Sequence, residues 1–214
     1  MEVLDQIGAH LLDKGGQVDI IYLDMPKAFD KVSHGQLLRK LRYYGFGGKL
    51  LAWLESYLCN HSQRVITLGA ISGTLPVTTG VPRGSILGPM LFLLYVNSLL
   101  EAVRSSQIAM FADDTKVFDA IKSSSDVQDL QQDICNLASW SYHTRLQFIS
   151  SKCKAQRITM KVSSVSFEYN MNRSQIDTLS AERYLCVFIT EGLTLLGPNM
   201  STVNAPRPTS YWDL

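Results

Sequence analysis

The chain has almost no net charge: 20 Lys and Arg stand against 19 Asp and Glu, a formal +1. A free-standing nucleic-acid binder carries a stronger basic bias, so any grip on nucleic acid here must be local or depend on further parts. Paired cysteines are also missing. Cys59, Cys135, Cys153 and Cys186 form no CxxC pair and match no zinc spacing, so they read as free thiols of a reducing compartment. No hydrophobic run is long enough for a bilayer: Ile86 to Leu100 is interrupted by Gly88, Pro89 and Asn97. The first residues, with Glu2, Asp5 and His10, lack a basic-then-apolar leader. We therefore expect an intracellular chain, cytoplasmic or nuclear, neither secreted nor membrane-spanning. Repeats and low-complexity tracts are absent as well. What is present is 46% hydrophobic and 18% charged residues, enough for one globular core in 214 residues.

Local patterns give the order of elements. VDIIYL at 18–23 reads as a buried strand running into Asp24. Ser33 and Gln36 have capping-box spacing, Gly45 is placed as a helix stop, and Leu37, Leu38, Leu41 and Tyr44 form an apolar face. A second helix is predicted over Lys49 to Leu58 and a strand over 63–68. Loop or irregular hairpin follows from Gly69 to Gly88, and a buried apolar helix opens near Pro89 and runs to about Val103. Ser125 and Gln128 repeat the capping spacing ahead of an amphipathic helix over 126–143. Strands are predicted at 154–162 and 183–190. The aromatics Trp53, Tyr57 and Trp140 read as core, and Lys31, Arg39, Lys40, Arg42 and Lys49 as a solvated helix face. Short hairpins outnumber βαβ units, so the fold class is α+β, an antiparallel sheet backed by helices.

The FADD string, Phe111 to Asp114, is the strongest chemical signal. Two adjacent carboxylates stand between two strand-forming runs, where an unpaired charge is costly. Asp24 ends the other buried strand. If the two strands are neighbours, three acids meet at one sheet edge and repel unless cations neutralise them. A divalent metal bound by oxygen donors is the economical answer. Two Mg²⁺ ions, with Mn²⁺ as the alternative, would suit an in-line phosphoryl displacement.

Seven blocks in this order carry a family resemblance: IIYLDMPKAFDKVSH (20–34), LLRKLRYYGFGGKLLAWLESYL (37–58), QRVITLG (63–69), LPVTTGVPRGSILGPMLFLLYVNSL (75–99), IAMFADDTKVF (108–118), LQQDICNLASW (130–140) and SKCK (151–154). Together they resemble the palm of a reverse transcriptase, an RNA-directed DNA polymerase, from a non-LTR, LINE-like retrotransposon, with a weaker match at 184–190. The resemblance implies a ferredoxin-like palm at 18–191, preceded by an N-terminal extension at 1–17; the tail at 192–214, with Gly, Pro, Asn, Ser and Thr and no periodicity, is expected to be poorly ordered. The resemblance also implies an RNA template, a DNA primer and dNTPs as partners.

Roles carry over by position. Asp24, Asp113 and Asp114 match the catalytic, metal-binding acids. Lys27 and Ala28 match backbone that faces the triphosphate, and Phe29, five residues after Asp24, matches a steric gate against a ribose 2′-OH. Arg83 and Gly84 match the turn against template and nascent pair, and Lys152 a lysine near the incoming phosphates. Each position also has a plainer reading: Asp24 as a helix cap, Asp113 and Asp114 as turn acids, Phe29 as core, Gly84 as a turn, Lys152 as a solvated side chain.

Several positions depart from the family pattern. Pro26 replaces a serine and removes an N–H donor. Arg83 replaces a glutamine, Ser98 stands in an Asn-Asp-Leu element, Ile149 to Ser151 replace an Asn-Pro-like element, and Cys186 replaces a glycine. The roughly seventeen residues before the first palm strand are too few for a fingers subdomain, and no thumb is expected after it. A catalytically inactive or domesticated remnant acting as a binding module is therefore the alternative. A third reading, an RNA-templated RNA polymerase, shares the acids but lacks the aromatic gate.

Overall fold

The computed structural model describes residues 16–82, 84–159, 164–184, 187–190 and 195–196. Expectations about Arg83, Cys186, the extension before residue 16 and most of the tail lie outside the described residues. In chain order come β1 (Gln17–Leu23), α1 (Ala28–Lys31), α2 (His34–Tyr43) and α3 (Gly48–Leu58). Four two-residue strands follow: β2 (Ser62–Gln63), β3 (Ile66–Thr67), β4 (Ala70–Ile71) and β5 (Leu75–Pro76). Next are α4 (Leu87–Val96), which tightens into a 3₁₀ turn (Asn97–Leu99), then β6 (Gln107–Phe111), β7 (Asp114–Ala120) and α5 (Ser124–Thr144). The chain continues through β8 (Lys154–Thr159), β9 (Asn170–Met171), β10 (Ser174–Gln175) and β11 (Asp177–Leu179). The last described strands are β12 (Ala181–Tyr184), β13 (Val187–Thr190) and β14 (Leu195–Leu196).

The main sheet has the order β11-β8-β1-β7-β6. Its pairs are antiparallel apart from β11 with β8, which are parallel. The expected α+β architecture is therefore present. β1 is central, which explains its near-continuous apolar run: Val18, Ile20 and Ile21 are all buried. From one face Ile21, Leu23, Val117 and Ala155 enter the core against Leu37, Leu41, Phe92, Leu130 and Leu137 of the helices.

Helix starts follow capping chemistry. Ser33 Oγ accepts from Gln36 N at 3.5 Å, and α2 stops at Gly45 in the left-handed region (φ 88). For α5 the cap lies two residues before the predicted one. Ser123 and Asp126 form the box, and the Asp126 carboxylate takes the N–H groups of Lys122 and Ser123 at 2.8 Å each. A carboxylate is a stronger acceptor there than the Gln128 amide would be.

Three other expectations are corrected. The strand over 63–68 is split at Arg64–Val65 into β2, which pairs with β5, and β3, which pairs with β4 across the turn at Leu68 (φ 47) and Gly69 (φ 81), and Val65, Ile66 and Leu68 are exposed. α4 begins before Pro89 and ends at Val96, and it is buried on one side only: Leu91, Phe92 and Tyr95 face inward while Met90 and Leu93 face out. Trp53 is not core; it is 52% exposed and stacks on Tyr57 with centroids 5.6 Å apart. In the basic set, Lys40 also differs, because its Nζ donates to the Tyr95 carbonyl and to Ser98 Oγ. Burial lowers the pKa of that ammonium, with nearby Glu101 opposing.

Candidate functional site

β1 delivers Asp24 immediately past Leu23, and Leu23 pairs with Thr115 on β7. One step further along both strands come Asp24 and Asp114, at the same end of the sheet. Asp113 shares with Ala112 the tight turn that joins β6 to β7, and Ala112 takes the left-handed conformation (φ 54) that the turn requires. The topology thus brings the three predicted acids to one edge. Their charges are felt there: burial, then Asp113 and Asp24, push the Asp114 carboxyl above its ordinary range, and Lys116 pulls it back. Burial leads although Asp114 as a whole residue is still exposed.

Oxygen donors of this kind suit a hard divalent cation. Among the described residues no three His, Cys, Asp or Glu side chains come close enough together to hold a metal ion. A lysine supplies positive charge instead: Lys152 Nζ lies 3.4 Å from Asp24 Oδ2. The loop that carries it is tied to the acid's own backbone, with Ile149 N–H donating to the Asp24 carbonyl at 3.3 Å and Lys152 N–H donating to the Ile149 carbonyl at 2.9 Å. So the structure places Lys152 at the acids, which sequence spacing alone did not require.

The predicted triphosphate segment is a tight turn. Lys27 adopts φ 54, and its carbonyl accepts from Asp30 N and Lys31 N at 3.0 and 3.1 Å. Ala28 is buried beneath it. Phe29 is only partly buried and stacks on Phe92 of α4, with centroids 4.3 Å apart and planes at 21°. That stack fixes the ring on the same side of α1 as the core while leaving part of it accessible.

Gly80, Val81 and His34, which the sequence reading missed, bind the 79–82 segment to α1 and the start of α2. Gly80 N–H donates to the Val32 carbonyl at 2.8 Å, Val81 N–H to the Phe29 carbonyl at 2.9 Å, and His34 Nε2 meets the Gly80 carbonyl at 2.7 Å. Gly80 has φ 94, and a Cβ there would stand 3.0 Å from the Asp30 backbone. The only local signal was a glycine before Val81-Pro82, which reads as ordinary loop. Further on, Gly84 adopts φ 75, and Ser85 Oγ donates to the Pro82 carbonyl while accepting from Gly88 N. Arg83 lies outside the described residues.

An antiparallel sheet that offers acids from its two central strands, with helices packed on one face, is the architecture of a nucleic-acid polymerase palm. The chain belongs to the reverse transcriptase (RNA-dependent DNA polymerase) family, whose model matches residues 4–185. It is 30% identical over 185 residues to the probable RNA-directed DNA polymerase from transposon X-element of Drosophila melanogaster, covering 81% of this chain and 20% of that protein. It is 26% identical over 218 residues to the probable RNA-directed DNA polymerase from transposon BS of the same organism, covering 94% of this chain and 23% of that protein. The chain therefore spans about a fifth of the length of these relatives. In fold it is similar to a telomerase from Candida tropicalis solved with a fragment of telomeric RNA, with TM-score 0.62 at 12% identity over 98% of this chain and 35% of that one. No helix among the described residues is long and apolar enough to cross a membrane.

Proposed function

We propose that this chain is the palm of an RNA-directed DNA polymerase from a non-LTR retrotransposon, which joins deoxynucleotides to a primer 3′-OH on an RNA template. The observation that carries the reading is the strand register that brings Asp24, past the end of β1, and Asp113 and Asp114, at the β6–β7 turn, to the same end of the sheet. Asp24 and Asp113 would hold two Mg²⁺ ions, with Asp114 beside them. When bound, the ions stabilise charge on the attacking and leaving oxygens of an in-line displacement.

The chain's own residues do the rest by position. Lys152 swings between Asp24 and the phosphates of an incoming dNTP, because a triphosphate is the stronger counter-charge. Backbone at Lys27 and Ala28 turns toward those phosphates. Phe29, braced by Phe92, closes the space a ribose 2′-OH would need. An oxidisable or nucleophilic side chain is not required, since phosphoryl transfer of this type rests on positioning and charge.

The test is primer extension on an RNA template with Mg²⁺, comparing the protein with Asp113→Asn. Template-directed extension that drops by at least about 100-fold in the variant is expected, as for loss of a group that stabilises the transition state. Equal signals, or no extension by either protein, would overturn the reading; metal binding without extension would instead mark a binding module.

A further inference from the structure

The near-zero net charge hides a segregation of sign along the chain. Between Asp30 and Glu55 there is no acid, against Lys31, Arg39, Lys40, Arg42 and Lys49. Between Asp133 and Glu168 there is again none, against Arg145, Lys152, Lys154, Arg157 and Lys161. The fold brings parts of these two segments together. Gln36 Nε2 of α2 donates to the His143 carbonyl of α5 at 3.1 Å. The buried Tyr95 hydroxyl lies 2.7 Å from Gln36 Oε1 and 2.6 Å from the Thr144 carbonyl. At this junction a cleft of about 410 Å³ opens, with Arg39, Lys40, Tyr43 and His143 in its lining and Glu101 as the single acid there. Burial pushes the Tyr95 hydroxyl up, and Arg145 and Arg39 both oppose it, so the Arg145 charge is felt at the same place.

These charges lack counter-ions within the fold. Lys152, Lys154 and Arg157 pair with carboxylates, whereas among the described residues Arg39, Lys40, Arg42 and Arg145 form no ion pair. Lys40 Nζ donates to the Tyr95 carbonyl and to Ser98 Oγ, which accounts for two of an ammonium's three donors. Open aromatic rings stand beside the cations. Tyr43 is 87% exposed and meets Tyr44 edge-on, with centroids 5.9 Å apart; Tyr142 is 75% exposed and meets His143 at 90°. Arg39 and Tyr43 are four residues apart on α2 and so share one face. Cations for phosphates, interleaved with rings on which bases stack, are what a single strand of nucleic acid requires. An acidic peptide would use the cations alone. We propose that the cleft between α2 and the end of α5 binds single-stranded nucleic acid, with Arg39 and Arg145 on its phosphates and Tyr43 under a base. No residue of the acid edge takes part, so the site stands whether or not that edge catalyses polymerisation.

The experiment measures binding of labelled oligo(rU) and oligo(dT) of equal length by fluorescence anisotropy, in chelator, across a monovalent salt series. Three variants are compared with the unaltered protein. Arg39→Gln with Arg145→Gln removes two charges at the cleft, and Tyr43→Ala removes the ring. Lys122→Gln with Arg173→Gln removes two charges elsewhere, Lys122 lying just before the opposite end of α5. All five side chains are exposed, so the fold is kept. The cleft pair should weaken binding roughly tenfold at low salt and flatten the log–log salt slope by about 1.4, or ~0.7 for each lost phosphate contact. Tyr43→Ala should also weaken binding roughly tenfold, but with the slope unchanged, because stacking releases no counterions. The control pair should change affinity by less than about twofold, since its charges are screened from the cleft.

Equal losses in the control pair and the cleft pair would overturn the inference and leave a net-charge effect. So would cleft variants that bind like the unaltered protein, or an unaltered protein that binds neither strand. Polyglutamate that displaces the labelled strand as well as unlabelled oligonucleotide would reassign the cleft to an acidic protein. Loss of binding in the cleft variants with either RNA or DNA supports the site, and the more tightly held strand names its occupant.

Discussion

Asp133 shows how one side chain can set the pH range in which this fold is stable. Its carboxylate is buried in α5 and accepts the N–H groups of Arg104, Ser105 and Ser106 at 2.9, 3.0 and 2.8 Å. Burial raises its pKa, but the three backbone donors outweigh burial and hold the group below its ordinary range. A depressed carboxyl stabilises the fold above its unfolded pKa, and that contribution is lost as pH falls through the folded value. The window is therefore below about pH 4. Asp133→Asn should cost about 1–3 kcal/mol at neutral pH through donors left unmatched. Its melting temperature should also fall less steeply on acidification, and acid limbs that run parallel in the two proteins would contradict this. Phe29 makes a second residue-scale prediction. Phe29→Val removes the stack on Phe92, at about 0.5–1.5 kcal/mol for the lost ring pair. In primer extension it should narrow the preference for dNTPs over rNTPs by about tenfold or more, worth about 1.4 kcal/mol. Unchanged sugar selectivity would remove Phe29 from the gate.

At the scale of elements, the site depends on a loop docking against a one-turn helix. The contacts of Gly80 and Val81 with Val32 and Phe29 clamp the 79–82 segment over α1. Gly80→Ala places a Cβ against the Asp30 backbone at a positive φ, so the loop must move. The expected cost is about 1–3 kcal/mol, as for backbone strain at a non-glycine left-handed residue. Because the clamp includes the Phe29 carbonyl, dNTP KM should rise along with the loss in melting temperature; a stability loss with KM unchanged would separate the clamp from the site. This contact was not legible in the sequence, because it joins residues about fifty apart through main-chain atoms that any residue carries. What was legible had a local cause. β1 and the FADD hairpin showed as strand-forming runs ending in acids, and α5 showed as an apolar repeat at helical period. The 63–68 segment reads as one strand because QRVITL has strand propensity, yet it is shared between β2, which pairs with β5, and β3, which pairs with β4 across a turn at Leu68, a residue that rarely takes positive φ. Lys40 resembled its solvated neighbours in sequence, and only the packing of α2 on α4 gives it the Tyr95 carbonyl and Ser98 hydroxyl as partners. The pairing of Lys152 with Asp24 likewise needed the fold, since their segments meet only where β1 and β8 lie side by side.

For the whole molecule the governing fact is the near-balance of charge, formal +1 over 214 residues, combined with an acid edge where the proposed function would dock a nucleic acid. Affinity for nucleic acid comes mainly from cations that displace condensed counterions at phosphates. Here there is little net positive field to supply it, and Asp24, Asp113 and Asp114 add local repulsion. Neutralising that edge should therefore matter more to binding than it would on a strongly basic surface. We expect this chain to bind a labelled RNA–DNA primer–template weakly in chelator, in the range of roughly 10⁻⁴–10⁻⁶ M typical of non-specific contacts. Ca²⁺, which neutralises carboxylates while slowing turnover, should tighten binding by about tenfold, and rising monovalent salt should weaken it. In Asp24→Asn and Asp113→Asn the chelator affinity should rise and the Ca²⁺ response should shrink, because the repulsion that the ion relieves is already reduced. Fluorescence anisotropy across a Ca²⁺ series reads all of these at once. A Ca²⁺ response of the same size in the asparagine variants would place the ion elsewhere, on the phosphates themselves, and would separate nucleic-acid binding from the acid edge.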